Sequence, residues 1–303
     1  MKGYGLMTLS YFDAHCDTLT TGELHGHVNL SSEAYVRRGQ VFAVCADGEM
    51  QSDLSFFRQA VSRLETLPVK LCRTGEEVYG ALENRHTAAI LAIEGAECVG
   101  CNQTLLLEAH KLGARILGLT HNRFNGLTGT CREQCDLGLT AQGRAFVRCA
   151  AELGMILDLS HISDAAAAEL LDQESACLIA SHSNARAVCN HPRNLTDDFF
   201  RQLAERGGLC GINLYTPFLT EKACASLEDV YTHVEHFLEL TPLASRTICL
   251  GCDFDGCDQL PYPVTASADL GAVYELFLRK NYPQTLIDQL FFENLCRFLR
   301  VHL

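Results

Sequence analysis

The sequence predicts an α/β protein built as a single (β/α)8 TIM barrel, and three observations carry that prediction. Short apolar, β-rich runs alternate with longer helical patterns from end to end, eight such runs can be counted, and 303 residues suit one barrel of about 250 with room for insertions. No linker, repeat or low-complexity tract interrupts the alternation, so residues 1–303 read as one domain.

Taken in order, the strand candidates are MTLSYFDAH (7–15), QVFAVC (40–45), AAILAIE (88–94), RILGLTH (115–121), MILDLS (155–160), CLIASH (177–182), LCGINL (209–214) and TICLGCD (247–253). Helical patterns lie between them at 53–67, 103–112, 140–153, 164–171, 197–206 and 226–240, several opened by Ser, Thr or Asp and closed by a nearby Gly or Pro. The competing architecture, an open doubly wound sheet, carries a Gly-rich phosphate turn after its first strand. Here that turn reads DAHCDTLTTG, which leaves no reason to expect a nucleotide cofactor.

Composition narrows the function. With 48% hydrophobic and 20% charged residues the chain is globular, and no apolar run approaches the roughly 18 residues of a membrane span. The first fifteen residues lack an apolar signal core, so the expected location is cytoplasmic, with no membrane partner. A net charge of −13 without a Lys/Arg cluster argues against nucleic acid. The 16 Cys, scattered through apolar runs, read as small buried hydrophobes in a reducing compartment. Cys98 with Cys101 and Cys131 with Cys135 could together form a tetrahedral zinc site, although no characteristic spacing joins the pairs.

Polar residues fall where an apolar strand would not place them. The first strand ends in His15-Cys16-Asp17, the third in Glu94, the fourth in His121, the fifth in Ser160-His161, the sixth in Ser181-His182 and the eighth in Asp253. In a barrel all these ends converge on the face where barrel enzymes place their chemistry. His15 and Asp17, two apart on an extended segment, point to one side and can present a nitrogen and an oxygen to the same metal. Any one of these residues could be a satisfied core group, but burying five unpaired is costly. His15, Asp17, Glu94, His161 and His182 also exceed what one tetrahedral zinc takes up. Two ions about 3.5–4 Å apart, sharing a bridging carboxylate and a hydroxide, would use them all.

The ordered segments F-D-A-H-C-D-T-L, A-I-E-G-A, L-G-L-T-H-N, G-M-I-L-D-L-S-H, S-H-S-N-A-R-A-V-C-N-H-P-R-N-L-T-D-D and L-G-C-D-F-D-G resemble the successive signatures of the membrane (renal) dipeptidase family of zinc metallopeptidases. The closing E-N-L-C-R-F-L-R resembles its terminal helix, so the likeness spans essentially the whole chain. It implies an amidohydrolase-type barrel and a soluble dipeptidase with two Zn²⁺ per chain. His15 and Asp17 would hold one ion, His161 and His182 the other, and Glu94 with a hydroxide would bridge them. By the same resemblance His121 and Arg193 contact substrate, Asp253 is the catalytic acid/base and Tyr215 lines the pocket. Small dipeptides are the implied partners, and a homodimer is compatible. The segment after His121 reads N-R-F-N-G-L and departs from the family pattern, as does E-G-A-E after the third strand, which leaves side-chain preference open.

The implied chemistry is attack of the bridging hydroxide on the peptide carbonyl, with His121 helping to hold the oxyanion and Asp253 passing the proton to the leaving amine. A deaminase or lactonase on the same barrel is the rival reading; Arg193, suited to a substrate carboxylate, argues against it. A non-catalytic scaffold would be expected to have lost a ligand or Asp253, and neither is lost. Asp255 is a weaker candidate proton carrier than Asp253 and otherwise a turn residue before Gly256, while Cys16 reads as packing, and His25 and His27 as solvent-facing rather than at the pocket rim.

Overall fold

Eight parallel strands close into a barrel in the order β1 (Leu9–Asp13), β2 (Tyr35–Cys45), β4 (Thr87–Glu94), β5 (Ala114–Gly118), β6 (Ile156–Asp158), β7 (Leu178–Ala180), β8 (Leu209–Ile212) and β9 (Ile248–Leu250). The ring closes between β1 and β9, where Asp13 faces Leu250. A ninth strand, β3 (Val69–Leu71), pairs with the start of β4 on the edge that β5 takes over from Leu91 onward. The computed structural model describes residues 9–20, 26–28, 30, 35–173 and 176–303.

Each predicted strand is present, with shifted limits. The fifth, sixth and eighth are shorter than their apolar runs because the polar residues that end them leave the ladder. His161 at φ 69° and Asp253 at φ 61° sit in the left-handed region, which a ladder does not accommodate. The second is longer, since Tyr35 to Gln40 pair with β1 despite two Arg in the run. β3, three residues around a Lys, carries no period-2 signal and was not expected; residues 7 and 8 lie outside the described ones.

Period-2 alternation separates two cores. Phe12, Val41, Ile90, Ile116, Ile156, Ile179, Leu209 and Cys249 fill the barrel, and the C-terminal helix (Asn294–His302) closes its lower end with Leu295, Phe298 and Leu299. Their neighbours Tyr11, Phe42, Leu91, Leu117, Leu157, Ala180 and Cys210 point outward against the helices. On β4 the inward column Ala88, Ile90, Ala92 continues to Glu94, so the strand's own pleat delivers this carboxylate to the upper mouth. The predicted helices recur within two residues at their ends. Thr140, Ser163 and Thr196 each accept an N–H from the first turn, and Ser226 with Asp229 makes a capping box.

The segments that follow β7 and β8 are tied together by His233, which is fully buried in the helix Leu227–Leu240. Its Nδ1 accepts the Ala185 N–H at 3.1 Å, so its Nε2 carries the proton and donates to the Leu219 carbonyl at 2.9 Å. A second proton has no acceptor there, and burial holds the ring down at about 4 from an ordinary 6.5. The folded pKa lies below the unfolded one, so this contribution is complete above 6.5 and is lost as pH falls toward 4, where the unfolded chain binds the proton first. Urea unfolding across this window should lose about 3 kcal/mol through this group, and His233→Gln should flatten that slope. An unchanged slope would assign the acid sensitivity to other groups.

Candidate active site

Six of the nine residues singled out in the sequence meet in one cluster. Glu94 Oε1 lies 3.0 Å from His161 Nε2 and 3.5 Å from both His182 Nε2 and His15 Nε2. His15 Nε2 is in turn 3.5 Å from Asp17 Oδ2 and 3.9 Å from Asp253 Oδ1. All six are buried. His15 and Asp17 follow the end of β1 and are held by backbone bonds from Cys16 to Val41 (3.0 Å) and from Asp17 to Phe254 (2.8 Å). Gly256 passes between the two Asp. A Cβ there would lie 2.2 Å from Asp17 Oδ2 and 2.5 Å from Asp253 Oδ1, so a glycine is required.

The tautomers follow from the outer partners. Ser181 Oγ spends its proton on Asp158 Oδ2 and therefore accepts from His182 Nδ1 at 2.7 Å. Asn122 Oδ1 accepts from His161 Nδ1 at 3.2 Å. Both rings then direct Nε2 lone pairs at each other, 3.0 Å apart, and at the Glu94 carboxylate. Burial, followed by the charges of Arg193 for His161 and His15 for His182, holds both imidazoles well below their usual range and so neutral. Burial would raise Glu94, but the charge of His15 overrides it and keeps the carboxyl well below its usual value. His15 Nε2 and Asp17 Oδ1 have no hydrogen-bond partner among the described residues. Facing lone pairs beside an anion repel unless a cation lies among them, so this donor set fits a metal.

Two groups of donor atoms emerge within 4.8 Å of one another: Glu94, His161 and His182, and His15, Asp17 and Asp253. Further groups are His15 with Asp158 and His182, and Cys45 with Glu94 and His121. None of the donor groups among the described residues contains Cys98, Cys101, Cys131 or Cys135.

A cavity of about 400 Å³ opens at the cluster, lined by Asp17, Glu94, His161 and Asp253 together with His121, Arg193, Tyr215 and Phe218. Arg193 is only 4% exposed, yet its Nε and Nη2 have no partner among the described residues. Its guanidinium stands 5.4 Å from the centre of the Phe218 ring. Asp253 Oδ2 accepts from Asn213 Nδ2 at 2.9 Å. Its carboxyl is raised, chiefly by burial, with the charge of Glu94 adding to the rise.

Sequence reasoning did not single out Asp158, Asn122 or Asn213, which orient ligands and Asp253, nor Arg132 and Asp258 in the cavity wall. Asp158 carried the one available signal, an acid ending the strand two residues before a singled-out Ser-His pair. His27 is a correction: instead of facing solvent it is half-buried, accepting the Asp255 N–H at 3.0 Å while its own N–H reaches Asp255 Oδ1 at 3.1 Å. That pairing fixes Asp255 in a turn. His25 lies outside the described residues.

A model of the membrane dipeptidase family (peptidase family M19) matches residues 47–302. The dipeptidase tcpJ of Claviceps purpurea (strain 20.1) is 28% identical over 323 residues, covering 97% of this chain and 74% of the relative. Among solved structures, a metallopeptidase from Rhodobacter sphaeroides, liganded with a phosphinate mimic of the dipeptide L-Ala-D-Ala, superposes with a TM-score of 0.81 at 25% identity, covering 98% of this chain and 100% of that one. Dipeptidase AC, a metallopeptidase of family M19, gives 0.82 at 27% identity, covering 97% and 99%.

A buried donor set that repels itself without a cation links metal to folding. Dialysis against a chelator should lower the melting temperature, and added Zn²⁺ should restore it. The stabilisation grows with occupancy, to about 2.7 kcal/mol at a hundred times the dissociation constant. Melting that is identical with chelator and with zinc would count against a metal in this cluster.

Proposed function

Because the chain belongs to the membrane dipeptidase family, peptidase family M19, and is a metal-dependent dipeptidase, we propose that it hydrolyses dipeptides with a free C-terminal carboxylate, gripped by Arg193. The observation that carries this reading is the buried, unpartnered guanidinium in the wall of the cavity that the donor cluster also lines. A substrate carboxylate would satisfy Arg193 and place the adjacent peptide bond toward Glu94 and Asp253. The likeness to structures covering 97–98% of the chain supports treating residues 1–303 as one barrel domain. No helix among the described residues is long and apolar enough to cross a membrane.

His15 and Asp17 would hold one zinc and His161 and His182 the second, with Glu94 shared between them; the pair supplies Lewis acidity at the scissile carbonyl when bound. The chain's own groups do the rest. Arg193 orients substrate through a charge-assisted hydrogen bond. His121 lines the cavity 4.5 Å, ring to ring, from His161, where it donates to the carbonyl oxygen as negative charge develops. Tyr215 stands edge-on to Phe218 at 4.9 Å and shapes the wall beside Arg193. Asp253, oriented by Asn213 and with its carboxyl raised by burial, takes a proton from the attacking water and returns it to the leaving amine. A deaminase substrate would leave Arg193 unpaired in the wall, an uncompensated buried charge.

Asp253→Asn keeps the bond to Asn213 possible but removes the proton carrier; turnover should fall by roughly 10²–10⁴ with metal content unchanged. Near-parental turnover would move the role to another group.

Loss of the substrate carboxylate and loss of Arg193 should be the same loss. A dipeptide amide should fall roughly 10- to 150-fold in kcat/KM, the range for a hydrogen bond to a charged group. Arg193→Ala should impose a similar fall on the acid and leave the amide nearly unaffected. Equal losses on acid and amide would reduce Arg193 to a structural support.

A further inference from the structure

A second guanidinium enters the same cavity. Arg132 lines it together with Arg193, and its side chain has neither an ion pair nor a hydrogen bond among the described residues. Arg193 is buried in the wall of the cavity, whereas Arg132 is exposed at its mouth. Its backbone is fixed. Thr130 Oγ1 accepts the N–H of Arg132 at 3.0 Å and of Glu133 at 2.7 Å, and the Cys131 N–H bonds the carbonyl of His161 at 2.9 Å. Of the carboxylates nearby, Glu133 Oε2 accepts the Phe124 N–H at 2.8 Å, and Asp258 lines the same cavity without an ion pair to Arg132. His191 reports the resulting field, since burial and then the charges of Arg193, Arg132 and Arg186 push it down to about 4.

Building on the reading that Arg193 takes the main-chain carboxylate, we propose that Arg132 receives a second carboxylate on the C-terminal residue, so that the preferred substrates are dipeptides ending in Asp or Glu. Two guanidiniums in one cavity match two anionic groups on one residue, and filling the cavity removes the water that would otherwise screen the outer pair.

The isosteric pair Ala-Asp and Ala-Asn tests this, with the second residue supplied in both chiralities. The parent should cleave Ala-Asp with kcat/KM roughly tenfold above Ala-Asn, the lower end for a charged hydrogen bond, and the ratio should shrink as salt is raised. Arg132→Gln should bring the ratio close to one by lowering Ala-Asp alone, and Arg132→Glu should shift preference to Ala-Lys. Arg132→Lys, which keeps the charge, should retain part of the ratio. A parental ratio near one, or an equal loss on both dipeptides in Arg132→Gln, overturns the assignment while leaving the dipeptidase reading intact. Failure to cleave either dipeptide, with metal bound, would fell both.

Discussion

The confrontation of two neutral imidazoles and one carboxylate is the constraint on which the rest of the molecule depends. His161 and His182 direct lone pairs at each other across 3.0 Å, and Glu94 adds its negative charge beside them. Nothing in hydrophobic packing favours that arrangement; it persists because neighbours hold each group from outside. Asp158 takes the Ser160 and Ser181 N–H groups at 2.9 Å and the Ser181 hydroxyl, and Ser181 in turn fixes His182. Such outer partners set ring tautomers and raise ligand basicity. The cluster is thus held by a hydrogen-bond network that runs from Asp158 through Ser181 to His182.

The barrel makes this network possible by bringing strand ends closer than side chains ordinarily permit. A Cβ on Gly211 or on Gly251 would lie 2.0 Å from the Ser181 carbonyl, so β7, β8 and β9 emerge into the mouth only because two glycines face each other there. The Ser183 N–H then reaches the Gly211 carbonyl at 2.7 Å, and the Asn184 side chain reaches the Asn213 and Phe218 carbonyls at 3.0 and 3.3 Å. These bonds relate the segment carrying His182 to the one carrying Asn213 and Tyr215. Ligands and cavity wall are therefore positioned by one set of backbone contacts.

The fold was legible because its signals are local. Period-2 apolar runs and helix caps sit in adjacent residues, and β3 escaped because three residues around a Lys have no period. The clustered His, Asp and Glu were legible for a different reason: such a residue at the end of an apolar strand is anomalous on its own, and the barrel supplies the convergence. Asn122, Asn213 and Arg132 left no such mark. Each lies in a segment where polar residues are ordinary, and its role depends on a partner 39 or 40 positions away for the two Asn and on a shared cavity for Arg132. His27 was misread for the same reason, since its partner Asp255 is 228 residues distant.

Charge across the cavity runs from acid to base. Asp17, Glu94 and Asp253 crowd one side, where burial and mutual repulsion make full ionisation costly without a cation: Asp17 is held well above its usual range, first by burial and then by Glu94. Arg193 and Arg132 line the same cavity, one buried and one exposed. A cation among the carboxylates and an anion between the guanidiniums each satisfy one side, and a zwitterionic molecule of dipeptide size satisfies the geometry between. Binding at the two ends is thereby coupled through the field. A cation among the carboxylates would raise the potential of the whole cavity and so strengthen its hold on an anion.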